Sequence, residues 1–290
     1  MAIDYDKLMA WRFPEAEHRY TRRDTILYAL GVGLGADPLD ERQLRFVYEE
    51  RLQALPTLGV VLAYPGNWLR DPATGVDYTQ VVHGEQSLRL HAPLPPEGAV
   101  IGRGRVTGIV DKGPGKGALI YSERRVEDAA TGQALCTLNS TTFARGDGGF
   151  GGPATGPSGG APAPPPLPAG PPDAVCDLPT LPQAALIYRL SGDYNPLHAD
   201  PATAARAGFP RPILHGLGTF GVAGHALLRT LCGYRPERLV AMQARFSAPV
   251  FPGETLRTEI WRLGAQAAFR VRAVERDAIV LTQGRAELAA

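Results

Sequence analysis

The chain has 290 residues, 44% of them hydrophobic and 20% charged, and its 30 Lys and Arg residues nearly balance its 29 Asp and Glu residues. This length fits two small domains or one large one. A net charge of +1 leaves no basic surface for a phosphate backbone, so we expect no nucleic-acid partner. The apolar runs are too short to span a bilayer, so we expect no membrane partner either.

The cysteines and the chain ends predict a cytoplasmic protein. Cys136, Cys176 and Cys232 are scattered and odd in number, which fits neither a disulfide framework nor a zinc knuckle. The first residues lack the basic start and apolar core of a secretion signal. The last four residues, ELAA, differ from the peroxisomal address Ser-Lys-Leu.

A segment rich in glycine and proline divides the sequence. Gly and Pro fill most of residues 146–172, which leaves too little apolar surface to compensate for the entropy lost on ordering. We therefore predict an N-terminal domain over 1–145, a linker over 146–172 and a C-terminal domain over 173–290.

The two halves resemble each other weakly. ILYALGVGLGADP (26–38) aligns without gaps with LIYRLSGDYNPLH (186–198), and LRLHAPL (88–94) aligns with ARFSAPV (244–250). Two matches in the same order favour an internal duplication. In this alignment Gly33, Gly35 and Pro38 occupy the places of three polar residues in the second half, so the first copy lacks their chemistry.

Secondary structure is readable in the second half. Asp200, Pro201 and Gly208 are typical of the cap, first turn and stop of a short helix. A longer helix should begin near Gly216 and stop at Gly233, because apolar residues recur there at helical spacing. Four runs follow that are typical of strands: 238–249, 255–264, 267–276 and 278–288. This order predicts a curved antiparallel sheet wrapped around one buried helix.

The start of that long helix, GLGTFG (216–221), matches the dinucleotide-binding pattern G-x-G-x-x-G. The preceding residues contain Pro210 and Pro212, which a central strand would exclude, and no second helix follows to complete a βαβ unit. We therefore reject a nucleotide site. The glycines favour close packing of the helix against a sheet, or a free backbone N–H at Gly216 that stabilises an oxyanion.

The loop SGDYNPLHAD (191–200) concentrates groups that hold protons. Asp193 and His198 can present a carboxylate and an imidazole to one water molecule, which Asn195 would help to orient. An Asx-rich turn without chemistry is the competing interpretation. A metal site made by Asp193, His198 and His215 is a weaker alternative, and we expect no metal. For His215 we favour a structural role.

YRLSGDYNPLHADP followed by AGFPRPILHGLGTFG resembles the signature of the MaoC-like, R-specific enoyl-CoA hydratases, known as hydratase 2. The similarity extends through VVHGEQSLRLHAPLP in the first half and ARFSAPVFPGETLRTEIW near the end, so only the predicted linker is left out. The resemblance implies an α+β double hot-dog fold in which each half wraps a curved antiparallel sheet around a long central helix. It also implies reversible hydration of trans-2-enoyl-CoA to (R)-3-hydroxyacyl-CoA, no cofactor and a homodimer.

The family's functional residues transfer to this sequence by position. The resemblance implies catalytic roles for Asp193 and His198, an orienting role for Asn195 and an oxyanion hole at Gly216. Glu85 in HGEQ matches an acidic residue with a supporting role in some members, although we favour a paired structural carboxylate there. The implied contacts to the acyl-CoA substrate are Gly192, Tyr194, Pro196, Leu197 and Phe246.

The first half would then form part of the acyl pocket without a second active site. We expect LPTLGVVLAYPG (55–66), which includes Gly59, to leave room for the acyl chain. The alternatives are a hydratase or dehydratase for a specialised thioester (a steroid side chain, a dicarboxylyl group or a carrier-bound chain) and a non-catalytic acyl-CoA-binding module. A hot-dog thioesterase is disfavoured because the long helix carries no acidic residue.

Overall fold

The computed structural model of this protein describes residues 3–156 and 166–289. The helices in these ranges are α1 Tyr5–Met9, α2 Arg22–Gly31, α3 Glu41–Val47, α4 Ala184–Tyr188, α5 Pro201–Arg206 and α6 Gly216–Cys232. The strands are β1 Ala16–Tyr20, β2 Val81–Leu90, β3 Gly98–Asp111, β4 Ala118–Asp128, β5 Ala134–Ala144, β6 Ala174–Pro179, β7 Leu239–Phe246, β8 Thr255–Leu263, β9 Gln266–Ala273 and β10 Ala278–Leu288. Short 3-10 turns connect several of these elements.

Within the described residues the strands form one antiparallel sheet in the order β1-β3-β4-β5-β2-β7-β10-β9-β8-β6. The first five strands in the chain build one side of the sheet and the last five build the other. From the centre outwards the order is β2-β5-β4-β3-β1 on one side and β7-β10-β9-β8-β6 on the other. Each strand of the first half thus has an equivalent in the second half, from β2 and β7 at the centre to β1 and β6 at the edges. This repeated topology supports the internal duplication inferred from the sequence.

The central pair β2 and β7 shows the symmetry at residue level. Ser87 lies opposite Gln243, Glu85 opposite Arg245, and Arg89 opposite Ala241. The alignment of 88–94 with 244–250 makes Ser87 and Gln243 equivalent residues, and they pair with each other. The approximate twofold axis that relates the two halves therefore passes through this pair.

Helix α6 is the central element of the second half, as the sequence predicts. It begins at Gly216, and Gly233 ends it in the left-handed conformation. A Cβ at Gly221 would lie 2.6 Å from Val32, and one at Gly224 would lie 2.5 Å from Thr57. These two glycines thus allow close contact with the end of α2 and with the 3-10 turn Pro56–Val60 of the first half, rather than with the sheet that the sequence interpretation names.

The first half departs from the expected pattern of one long helix per half. Under the alignment of 26–38 with 186–198, the place of α6 falls on residues 56–72, where the structure has a 3-10 turn, Pro56–Val60. Ala63 then takes a positive φ of 48°, and Pro65 and Gly66 follow. These residues cannot continue a helix. The double hot-dog architecture is confirmed, but its first half has no long central helix among the described residues.

One large hydrophobic core joins the two halves and includes residues of α2, β2, α6 and β9. Within the part of the chain that the structure describes, no helix is both long and apolar enough to cross a membrane. Residues 157–165 of the predicted linker lie outside the described ranges. In the part of the predicted linker that is described, the backbone N–H groups of Gly149 and Gly151 donate to the Asp111 carboxylate at 2.7 and 2.8 Å. The domain boundaries stay a prediction.

Candidate active site

The polar loop is held in shape by its own side chains. It follows α4 through two 3-10 turns, Arg189–Ser191 and Pro196–His198. Gly192 between them has φ 116°, a conformation that favours glycine. The Asn195 N–H donates to Asp193 Oδ1 at 3.2 Å, and Asn195 Oδ1 accepts from the Leu197 N–H at 3.1 Å. The Asx turn is therefore present, and it positions the functional groups.

His198 is buried, with 8% of its surface exposed. Its Nδ1–H donates to the Ile213 carbonyl at 2.8 Å, which leaves a lone pair on Nε2. Burial lowers the pKa of His198. The imidazole is therefore neutral near pH 7 and can accept a proton or a hydrogen bond at Nε2.

His215 completes a cluster with His198 and Asp193. The two imidazole rings stack with centroids 3.7 Å apart and 28° between their planes. His215 Nε2–H donates to the Asp193 carbonyl at 3.1 Å. Burial, together with neighbouring His198, lowers the pKa of His215 to about 4. One ligand atom from each of the three side chains lies within 4.8 Å of the others. His215 thus contacts both His198 and Asp193 and holds them in position.

Gly216 follows His215 and is the first residue of α6. Its N–H has no acceptor among the described residues, and no side chain caps the helix. Such an N–H carries partial positive charge and is free to bind an oxyanion. A Cβ at Gly216 would lie 3.2 Å from the Phe246 ring. Glycine therefore keeps open the space between the helix start and that ring.

His83 of β2 contributes from the first half, and the sequence interpretation missed it. Its ring lies 4.7 Å from the Phe246 ring, between centroids. Its Nε2–H donates to the Glu85 carbonyl at 3.0 Å. Loss of hydration lowers the pKa of His83 to about 4, although the nearby Asp193 carboxylate opposes this shift. The motif HGEQ marks the segment, but the sequence alone does not show that its histidine, rather than its acidic residue, faces the site.

Glu85 lies on the other face of the sheet. A register shift at Gly84 places His83 opposite Thr142 and Glu85 opposite Thr141. Thr141 and Thr142 are neighbours in β5, so they and their partners point to opposite faces of the sheet. His83 therefore faces the site and Glu85 does not. Thr141 Oγ1 donates to Glu85 Oε2 at 3.2 Å. This arrangement favours the structural interpretation of Glu85.

Tyr64 of the first half is 42% exposed and lies within electrostatic range of Asp193, and the sequence interpretation did not name it. Loss of hydration, and then the Asp193 carboxylate, raise the pKa of Tyr64 to about 12. The Arg124 guanidinium lies 5.5 Å from the centre of the Tyr64 ring and donates to the Val60 carbonyl at 2.7 Å. Val60 and Tyr64 lie in the segment where the first half lacks its long helix, and Arg124 lies on β4.

The predicted substrate contacts lie around the cluster. Tyr194 is 59% exposed, and the Arg189 guanidinium lies 5.2 Å from the centre of its ring. Gly192 and Pro196 are also exposed, whereas Leu197 and Phe246 are half-buried. The exposed residues form the outer side of the loop, whereas the Phe246 ring lies against Gly216.

Two known families match the chain. Residues 165–283 match the family described as "MaoC like domain", and residues 18–146 match "MFE-2 hydratase 2 N-terminal domain". A relative in Arabidopsis thaliana, "Enoyl-CoA hydratase 2, peroxisomal", is 38% identical over 289 residues, which are 95% of this chain and 93% of the relative. "Enoyl-CoA hydratase ChsH3" of Mycobacterium tuberculosis is 40% identical over 98% of both chains. The crystal structure of a MaoC-like dehydratase from Phytophthora capsici has a TM-score of 0.85 and 34% identity, with 98% of each chain covered.

Proposed function

This chain belongs to the MaoC-like family, and its first half matches the MFE-2 hydratase 2 N-terminal domain. On this premise we propose that it is an (R)-specific trans-2-enoyl-CoA hydratase. The enzyme is a hydro-lyase that reversibly adds water to the C2=C3 bond to give (R)-3-hydroxyacyl-CoA. The observation that carries the proposal is the cluster of Asp193, His198 and His215 within 4.8 Å, next in the chain to the free Gly216 N–H.

The Gly216 N–H would bind the thioester oxygen. As water attacks C3, negative charge moves onto that oxygen, and a fixed N–H at a helix start stabilises it. The Phe246 ring beside Gly216 would exclude bulk water from the thioester. His83 supports this ring from the first half.

Asp193 and His198 would hold the attacking water. The Asp193 carboxylate and His198 Nε2 are both acceptors, so one water molecule can donate one hydrogen bond to each. One of the two groups accepts a proton from the water as the C3–O bond forms, and the same group then donates that proton to C2 on the same face. His215 fixes the His198 ring by stacking and the Asp193 backbone by a hydrogen bond. We propose that no metal or other cofactor takes part.

The location and assembly of the protein are also proposals. Cys136, Cys176 and Cys232 are free thiols, which supports a reducing compartment, and we propose the cytoplasm, although some relatives are named as peroxisomal. Exposed apolar side chains at Leu186 and Leu190, each 52% exposed, support a homodimer that buries them. Imaging of a fluorescent fusion and light scattering of the purified chain would test these two points.

The test of the function compares Asp193→Asn with the wild type and with Asp200→Asn. Asp200 caps α5 by accepting from Ala202 and Thr203, so its variant controls for loss of a loop carboxylate outside the cluster. We expect wild type and Asp200→Asn to hydrate trans-2-butenoyl-CoA or trans-2-decenoyl-CoA to the R product. Asp193→Asn should lose activity by a factor of about 10²–10⁴. Equal activity of both variants, or no turnover by the folded wild type, would overturn the proposal.

A further inference from the structure

Arg124 is a cation on the inner face of the sheet. It lies on β4 opposite Leu138, and it shares a face with Val126 because side chains alternate along a strand. Leu138 and Val126 both belong to the hydrophobic core. Within the ranges that the structure describes, Arg124 has no acidic partner. A poorly hydrated cation without a counter-ion is costly, which indicates that its partner comes from outside the chain.

The hydrogen-bond donors of Arg124 are only partly used. One N–H of its guanidinium goes to the Val60 carbonyl at 2.7 Å. Its Nε is buried, and no acceptor for it lies among the described residues. The centre of the Tyr64 ring lies 5.5 Å from Arg124 Cζ, and the Tyr64 O–H likewise has no acceptor in the described ranges. The two side chains therefore offer N–H and O–H donors, a set that suits a carboxylate.

The turn that carries Tyr64 is held at two points. Arg124 binds the Val60 carbonyl, and the Ala63 N–H donates to His18 Nδ1 at 3.0 Å. These bonds fix the segment that takes the place of a long helix in the first half. Tyr64 and Arg124 are therefore positioned before a ligand binds, which favours tight binding.

Tyr64, Arg124 and His83 have the properties of residues that line a deep cleft. Tyr64 is 42% exposed, yet loss of hydration raises its pKa to about 12. Arg124 and His83 also keep part of their surface accessible, and loss of hydration lowers the pKa of both. Surfaces that a water molecule can touch but that bulk water hardly hydrates are typical of a cleft. Because Asp193 acts electrostatically on Tyr64 and His83, this cleft joins Arg124 to the proposed thioester site.

We infer that Arg124 and Tyr64 bind a carboxylate at the far end of the acyl chain, so that the enzyme prefers enoyl-CoA substrates that carry one. This inference rests on the proposed function and names its substrate class. On β5, the partner of Arg124 lies four residues from the partner of His83, which is roughly 13 Å. An extended chain gains about 1.2 Å per bond, so roughly eight to twelve carbons span the way from the thioester to Arg124.

Binding is measured with saturated thioesters, which have no double bond to hydrate, so the result does not depend on turnover. Isothermal titration calorimetry of the full chain compares octanoyl-, decanoyl- and dodecanoyl-CoA with the dicarboxylyl-CoA of the same length. The test variants are Arg124→Met, which removes the charge, and Tyr64→Phe, which removes only the hydroxyl group. The matched control is Arg125→Met, since Arg125 is the next residue, is exposed and pairs with Glu127 at 2.9 Å.

We expect wild type and Arg125→Met to bind a dicarboxylyl-CoA about 10-fold to 100-fold more tightly than the methyl-ended CoA of the same length, because charge-assisted hydrogen bonds have this strength. Arg124→Met should lose this preference, and Tyr64→Phe should lower it about 5-fold. Circular dichroism confirms folding, and Tyr64→Phe keeps the test valid where Arg124→Met fails to fold. Equal affinity of the wild type for both ligands at every length, or an unchanged preference in a folded test variant, overturns the inference.

The CoA phosphates are the other source of an anion for Arg124. If they bind there, Arg124→Met weakens both ligands alike, and the loss disappears with pantetheine thioesters, which lack those phosphates. That outcome also overturns the inference. Turnover of the matching trans-2-enoyl-CoA substrates then tests specificity, since kcat/KM should show the same preference. A wild type that keeps the binding preference but hydrates no substrate would contradict the proposed function alone.

Discussion

His83 of the first half and Phe246 of the second half pack with their ring centroids 4.7 Å apart, across the central strand pair β2 and β7. Phe246 in turn lies within 3.2 Å of the position that a Gly216 Cβ would take. The wall of the proposed thioester site is therefore built by both halves. The first half lacks equivalents of Asp193, Asn195 and His198 in the inferred alignment, but it supplies support for the ring beside the proposed oxyanion hole.

Replacing His83 should test this support. We expect His83→Ala to lower kcat by about 10-fold to 100-fold, because a misplacement of about 1 Å near the reacting atoms costs that much. Thermal stability should change little, since the side chain is only partly buried. Steady-state kinetics with trans-2-butenoyl-CoA measures the effect, with His91→Ala as the exposed control. An unchanged kcat would mean that Phe246 holds its position without His83.

Gly216→Ala should narrow the space that the thioester carbonyl enters. The new methyl group would lie 3.2 Å from the Phe246 ring, tighter than an ordinary contact. We expect a loss of kcat/KM of roughly 10-fold to 100-fold, as for other small misplacements of a reacting group. Adding Phe246→Leu should restore part of the loss, because the smaller side chain gives the methyl group room. If the loss of kcat/KM in the double variant exceeds the product of the losses in the two single variants, the contact between the methyl group and the Phe246 ring does not cause the loss.

Much of the second half follows from local sequence signals. The caps Asp200 and Gly233 and the apolar periodicity between them predict α5 and α6 closely. The cluster around His198 is predicted only in part, because the stacking of His215 depends on how the loop folds back on the helix start. The register shift that separates His83 from Glu85 has one sequence signal, Gly84, because a glycine inside a strand often marks a bulge, but the glycine does not say which side chain faces the site. Three-dimensional packing decides such shifts.

The missing helix of the first half illustrates the same limit. Equivalence to the second half predicts a helix over 56–72, whereas Ala63, Pro65 and Gly66 interrupt it. The proline and glycine are visible in the sequence, whereas the long helix in each half is what the family resemblance implies. Residues that interrupt helices, such as proline and glycine, are stronger evidence about local structure than a weak internal repeat when the two conflict.

Gly59 lies inside this altered segment, and its substitution should affect stability rather than chain-length preference. A Cβ there would lie 3.0 Å from Cys136 Sγ and 3.2 Å from Leu88 Cδ1, so Gly59→Val overpacks the core. We expect a loss of about 1–3 kcal/mol in the free energy of unfolding, measured by urea denaturation. Gly98→Ala is the control, since its Cβ would meet Tyr20 at an ordinary 3.8 Å. A stable Gly59→Val that rejects only long acyl chains would instead support a tunnel at this point.

Acid should destabilise the protein through its buried neutral histidines, and His225 on α6 is a clear example. Its Nδ1–H donates to the Val32 carbonyl at 3.1 Å, and Tyr234 O–H donates to its Nε2 at 3.2 Å. Burial lowers the pKa of His225 from 6.5 to about 4. Its contribution to stability is therefore complete above pH 6.5 and is lost as the pH falls towards 4, because only the unfolded chain takes up the proton in that window.

Replacing His225 with Gln should reduce this acid sensitivity. One proton bound only by the unfolded chain gives a slope of about 1.4 kcal/mol per pH unit. We expect His225→Gln to be less stable than wild type near about pH 7.5, because it loses a buried hydrogen bond, but to lose stability less steeply down to about pH 5. Urea denaturation over this pH range measures both slopes, with His91→Gln as the exposed control. The wild-type slope does not vanish in the variant, since His83, His198 and His215 are also held neutral. Equal slopes for His225→Gln and wild type would show that His225 is protonated in the folded protein.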